Sequence, residues 1–242
     1  MLAGFAQDRS LTRSWHKLRI GQSMKLEILN TSVVILAKYH NPTILHPSFL
    51  TSEGIVPSGW EMAEPPVSTP VFAMVKYKNG IVFNVEENKF QVGQNDLEDD
   101  AGKSQVPVLA CKYVQKLPHV KYLAVGFNFK GFIERAQPEA LIMALFLKPG
   151  IADLNGAHPE ASGFRFVYRL NDVRLRLSFD SGKVKRAGNE NERNGILIDA
   201  NYHVDLAGQN IHQEIEKATS LYSQYYGHFT MATRSILALE NS

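Results

Sequence analysis

Between residues 163 and 184 apolar and polar side chains alternate almost without error: GFRFVYRL, then Asn171-Asp172, then VRLRLSFDSGKV. Strict alternation marks strands with one covered and one wet face. An Asn-Asp pair between two such runs suits a two-residue hairpin loop, which needs positive φ. That loop sets the pairing. Leu170 is predicted opposite Val173, Tyr168 opposite Leu175, Phe166 opposite Leu177 and Phe164 opposite Phe179, an apolar set facing the core. The other face pairs Arg169 with Arg174, Val167 with Arg176 and Arg165 with Ser178, and is expected to continue through Lys183 and Lys185 on a third strand.

Residues 71–92 align with this segment without a gap. Phe72 falls on Phe164, Ile81 on Val173, Val85 on Leu177, and Asn79-Gly80 falls on the turn Asn171-Asp172. A two-residue loop there would put Tyr77 opposite Val82, Val75 opposite Asn84 and Ala73 opposite Glu86 on the face that corresponds to the arginines. Gly126-Phe127-Asn128-Phe129 likewise matches Asp199-Ala200-Asn201-Tyr202. The expected fold is therefore α+β: two antiparallel β-meander modules, each backed by a helix, arranged as a pseudo-repeat.

Elsewhere, 32–39 (SVVILAKY) reads as a strand buried on both faces, and Pro47 opens a short helix through Phe49 and Leu50. Residues 54–70, with Pro57, Pro65, Pro66 and Pro70, form an irregular crossing that holds Trp60. A helix over 107–117 carries Val106, Leu109, Ala110, Tyr113, Val114 and Leu117 at helical spacing and stops at Pro118. A long strand follows over 120–133, then a helix over 138–147 that is apolar nearly all round and so expected to be buried. The strand 195–206 leads into a helix over 209–239, with Gly227 a candidate kink. Its aromatic side chains Tyr222, Tyr225, Tyr226 and Phe229 sit at core spacing. The implied organisation is a disordered basic extension over 1–23, with Met24 an alternative start, a first module over 24–148, a linker over 149–162 and a second module over 163–242.

Composition narrows little. Hydrophobic residues make up 44% and charged residues 21%, as in ordinary globular proteins. The single cysteine, Cys111, excludes an internal disulfide and a cysteine metal cage, and a reducing, cytoplasmic setting is expected. The most apolar run, 140–147, is far shorter than the roughly 20 residues that span a bilayer, so no membrane partner is expected. The net charge of +2 argues for no partner, but residues 163–194 hold eight Lys/Arg against four Asp/Glu.

Like charges opposed on a sheet destabilise it, so Arg169 facing Arg174 calls for an anion. On the strand 195–206, Asp199, Asn201, His203 and Asp205 share one face; if that face is the arginine side, Asp199 and Asp205 serve as internal counterions. Otherwise the anion comes from outside. His203 with Asp199 or Asp205 is also the one candidate His-carboxylate site. Residues i and i+4 on a strand lie roughly 13 Å apart by rise alone, so Asp205 is the nearer partner. His40, His46, His119, His158, His212 and His228 lack ligand spacing, and no G-x-S-x-G, P-loop, G-x-G-x-x-G or H-E-x-x-H occurs. No catalytic residue, cofactor or metal is called for.

The run Asn194-Gly195-Ile196-Leu197-Ile198-Asp199 through Tyr202, followed by a long helix to Thr233-Arg234, resembles a sporadically distributed family of uncharacterised bacterial proteins. The likeness covers about the last fifty residues. It implies a bacterial, soluble α+β protein and brings no residue roles. The leading expectation is a non-catalytic binding or interaction protein that meets an unknown protein or anionic ligand through Arg165, Arg169, Arg174, Arg176, Lys183 and Lys185. Nucleic-acid association is the runner-up, and a His203 hydrolase the third reading.

Overall fold

Most residues of the apolar run near the start of the chain become β1 (Glu27–Lys38), and β1 lies in the interior of the sheet. A computed structural model describes residues 25–95, 97, 100–148, 154–185 and 191–237. After β1 come a short α1 (Pro47–Ser52), β2 (Val67–Ser68), β3 (Phe72–Lys76), β4 (Ile81–Glu86) and β5 (Lys89–Asn95). Then follow α2 (Val106–Lys116), β6 (Lys121–Glu134), α3 (Pro138–Phe146), β7 (Gly163–Leu170), β8 (Val173–Val184), β9 (Arg193–Asp205), α4 (Ile211–Ser220) and α5 (Tyr222–Leu237). The nine strands of the described residues form one antiparallel sheet in the order β2-β3-β4-β5-β1-β6-β9-β8-β7, so the protein is α+β. No described helix is long and apolar enough to cross a membrane.

The helices gather on one side. Thr31, Val33, Ile35 and Ala37 of β1 point into the layer they cover, with Val75, Phe83, Phe90, Val125, Phe127 and Phe129 from neighbouring strands. Above them Tyr113 of α2 stacks on Phe90 with ring centroids 3.8 Å apart, and Phe229 of α5 stacks on Phe129 at 5.6 Å. The tyrosines of α5 are core, as their spacing predicts: Tyr222 is buried and Tyr225 packs on Phe127 and Tyr202. On its other side β1 is not sealed. Ser32 is buried, but Val34 is half-buried and Leu36 and Lys38 are exposed, so burial of 32–39 on both faces does not hold.

The second hairpin forms in the predicted register, from Leu170 opposite Val173 to Phe164 opposite Phe179, with Asn171 at φ 52°. The first does not. Its loop has three residues, Lys78-Asn79-Gly80, because Gly80 takes φ 83° and the Tyr77 amide bonds the Ile81 carbonyl at 2.8 Å. A glycine in that conformation adds one residue to the turn, and the Asn79 side chain holds it by accepting from the Ile81 amide. The pairs become Ala73 with Val85, Val75 with Phe83 and Lys76 with Val82. Ala73, Val75 and Tyr77 thus belong to the core, and their predicted polar-face partners Val82, Asn84 and Glu86 lie on the other side.

Three further expectations change. β8 stays extended through Asp180-Ser181-Gly182, paired with Leu197, Ile196 and Gly195, where the first meander turns at Glu87-Asn88. Helix α3 is only partly covered: Pro138 and Ile142 are buried, while Leu141, Met143 and Leu145 remain half-exposed. The long C-terminal helix breaks at Leu221 rather than Gly227. There the Thr219 and Ser220 hydroxyls donate to the carbonyls of Ile215, Glu216 and Lys217, competing with the helix ladder. The predicted extension over 1–23 lies outside the described residues.

Past that break, Tyr222 reaches the sheet. Its hydroxyl shares a 2.5 Å hydrogen bond with Thr31 Oγ1 and donates to the Ala101 carbonyl at 3.0 Å. Tyr222→Phe is expected to cost about 1–2 kcal/mol, read as a lower urea midpoint with an unchanged slope. Burial pushes the Tyr222 phenol up to about 12, against the pull of its bond with Thr31, and also raises Tyr113, Tyr122 and Tyr202. A folded-state pKa above the unfolded value of about 10 gives stability that is intact below pH 10 and lost as pH rises beyond it. Denaturant titrations between pH 8 and 12 should show that fall; stability constant to the top of that range would contradict it.

Candidate functional site

The sheet face opposite the helices carries the polar half of the alternation, and strand pairing arranges it in rows. One row runs Ser32, Asn128, Asn201, Arg176, Val167 across β1, β6, β9, β8 and β7. A second runs Asn95, Asn30, Lys130, Asp199, Ser178, Arg165. A third places Gly126, His203, Arg174 and Arg169 side by side. The polar face of β9 is therefore the arginine side.

Short side chains hold most of the first two rows, with Lys130, Arg165 and Arg176 standing among them. Asn201 Nδ2 donates to Asn128 Oδ1 at 2.6 Å, and Asn128 Nδ2 donates to Ser32 Oγ at 3.2 Å. Asn30 Nδ2 donates to Asn95 Oδ1 at 2.6 Å. Over this floor lies an open depression of about 390 Å³, lined by Asn30, Ser32, Gln91, Asn128, Lys130, Arg165, Arg176, Ser178, Asp180, Asp199 and Asn201. That volume suits a small molecule. The lining offers three cationic groups, two carboxylates and several amide and hydroxyl groups.

The aspartates do not neutralise the arginines. Asp199 Oδ1 lies 3.5 Å from Lys130 Nζ, its partner across the β6–β9 seam, and Asp205 Oδ1 lies 2.9 Å from His203 Nε2. Among the described residues none of Arg165, Arg169, Arg174 and Arg176 forms an ion pair. Arg169 and Arg174 are directly opposed, as the sequence predicts, and both are exposed.

Lys183 and Lys185 do not join them. Because β8 stays extended where a turn was expected, Lys183 is on β8 itself, with the parity of Leu175 and Leu177, and pairs with Glu192 at 3.3 Å. Lys185 follows the end of β8 with the same parity, exposed.

His203 and Asp205 do meet, but outside the depression, where His203 is flanked by Gly126 and Arg174. Neither neighbour is a nucleophile. Among the described residues no group of three His, Cys, Asp or Glu side chains could hold a metal ion.

Ser32, Asn30, Gln91, Asn128 and Lys130 come from the first half of the chain, and sequence reasoning did not assign them to the site. The signal was present in Asn128, which aligns with Asn201 in the internal match and stands directly opposite it across the seam. The chain matches no family model and no curated protein.

Asn128→Ala strips partners from the Asn201 amide and the buried Ser32 hydroxyl, so it should cost about 1–2 kcal/mol. Lys130→Ala, which breaks only a surface ion pair, should stay within about 0.5 kcal/mol. Chemical denaturation of both variants checks the contrast, and equal costs would overturn it.

Proposed function

We propose that this protein is a non-catalytic binding protein whose wet sheet face receives a small anionic ligand in the depression between Lys130, Arg165 and Arg176. The observation that carries the reading is the set of four arginines that form no ion pair among the described residues, beside a preformed row of amides. Guanidinium groups take carboxylate and phosphate through paired hydrogen bonds. The amides and hydroxyls of Asn30, Ser32, Asn128, Ser178 and Asn201 suit hydroxyl groups on the ligand body, and Asp199 and Asp180 exclude a uniformly charged one. Only the second meander carries arginines on this face, so the site is lopsided even where the two meanders are read as a pseudo-repeat. Cytoplasmic work, with Cys111 kept as a thiol, belongs to the same proposal.

Nucleic-acid association is the weaker reading. Single strands are gripped largely by base stacking on aromatic rings, and no aromatic side chain lines the depression. Two carboxylates in its wall also oppose a phosphate backbone.

Calorimetric and NMR titrations with inorganic phosphate, citrate and a short single-stranded oligonucleotide test the proposal. Citrate or phosphate should bind and shift the resonances of Arg165, Arg176 and Asn201. Arg176→Ala should weaken that binding about tenfold or more, the worth of one charge-assisted hydrogen bond, and Asp199→Asn should tighten it. Resonances unmoved by either small anion would sink the reading. Preference for the oligonucleotide, with an affinity falling steeply as salt rises, would replace it with the nucleic-acid one.

A further inference from the structure

The two edges of the sheet are protected unequally. At one end β2 is only Val67–Ser68, with Pro65, Pro66 and Pro70 around it, and a short proline-flanked edge cannot template another strand. At the other end β7 is eight residues long, contains no proline, and pairs with β8 without a bulge. Its outer side is apolar as well as charged: Val167 is 63% exposed and Tyr168 39%. On the helix side, α3 covers this end incompletely, with Phe146 against Phe164 and Phe166 but Leu141 and Leu145 half-exposed.

The backbone of that edge has a defined parity. A two-residue loop makes Leu170 and Val173 the closing hydrogen-bonded pair, so even-numbered residues of β7 bond β8 and odd-numbered ones point away. The Ser181 amide donating to the Ser162 carbonyl at 2.8 Å continues the same parity. The main-chain groups of Gly163, Arg165, Val167 and Arg169 therefore face outward.

From this we infer that the β7 edge is a self-association surface: a second copy of this chain pairs antiparallel with it about a two-fold axis at Phe166. The arginines select that register. An axis at Val167 would oppose Arg165 to Arg169 of the second copy, and an axis at Arg165 would oppose that residue to itself, both destabilising. An axis at Tyr168 leaves Gly163 and Arg165 facing no strand. With the axis at Phe166, Arg165 meets Val167, Arg169 meets Gly163, Phe164 meets Tyr168 and Phe166 meets its own copy. All four outward residues are then paired. The two-fold stands perpendicular to the sheet, so wet face continues into wet face and the two α3 helices approach on the covered side.

Sedimentation velocity on the full chain across a wide concentration range tests this. A dimer is expected, and a monomer at every concentration overturns the inference, since another partner would then own the edge. Val167→Pro removes an outward N–H and leaves the bonds to β8 in place; it should give a folded monomer by circular dichroism, and a persistent dimer contradicts the inference. Cross-linking in a Cys111→Ser background reads the register without relying on that variant. Directly opposed residues lie about 5.5 Å apart at Cα, within disulfide reach. Chains with Arg165→Cys mixed with chains with Val167→Cys should link to one another, and chains with Val167→Cys alone should not. Self-linking of Val167→Cys in preference to the mixed product overturns the proposed register.

Discussion

The pairing of β6 with β9 is the constraint from which the site follows. These strands run opposed from Ala124 with Asp205 to Glu134 with Gly195, and their ladder joins the two halves of the sheet into one surface. A slip of one residue would turn one of the two strands over, sending Phe127 and Phe129, or Ile198 and Tyr202, toward water and the asparagine of that strand into the aromatic layer beneath α5. The hydrophobic effect acting on those four side chains thereby sets where two amides meet. The register of the wet face is enforced from the dry one.

How much of this could be read from the chain depended on whether the determining contact was local. β7, the turn at Asn171-Asp172 and β8 came out with every opposed pair in place, because a two-residue loop and strict alternation leave no freedom. The first hairpin came out shifted, since a single glycine at φ 83° inserts a residue that alternation alone does not reveal. Lys183 and Lys185 were misplaced for a related reason: Asp180-Ser181-Gly182 has turn-forming residues, yet β9 holds it extended. The break at Leu221 depends on hydroxyls folding back on their own helix and on Tyr222 reaching Thr31, a partner far away in sequence. Half of the depression comes from strands in the other half of the chain, and nothing local marks Lys130 as the neighbour of Asp199.

The wet face also shows why counting charges misleads. Asp199 and Asp205 had the right face and sign to neutralise the arginines, and each is drawn off by a closer cation or imidazole, Lys130 across one seam and His203 on the same strand. Pairing distances decide which charges cancel. What is left over is a group of guanidiniums at one end of a sheet whose centre is neutral and hydrogen-bonded.

That neutral centre has a direction. Asn201 gives its amide proton to Asn128, which gives its own to Ser32, so turning over any one member would set donor against donor or acceptor against acceptor at its neighbour. The row has two self-consistent orientations and no cheap mixtures. In the present one the shared protons run from Asn201 toward Ser32, so the row behaves like a polarity switch thrown one way. A guest that presses the opposite polarity on one member's shared bond must reverse the entire line at once.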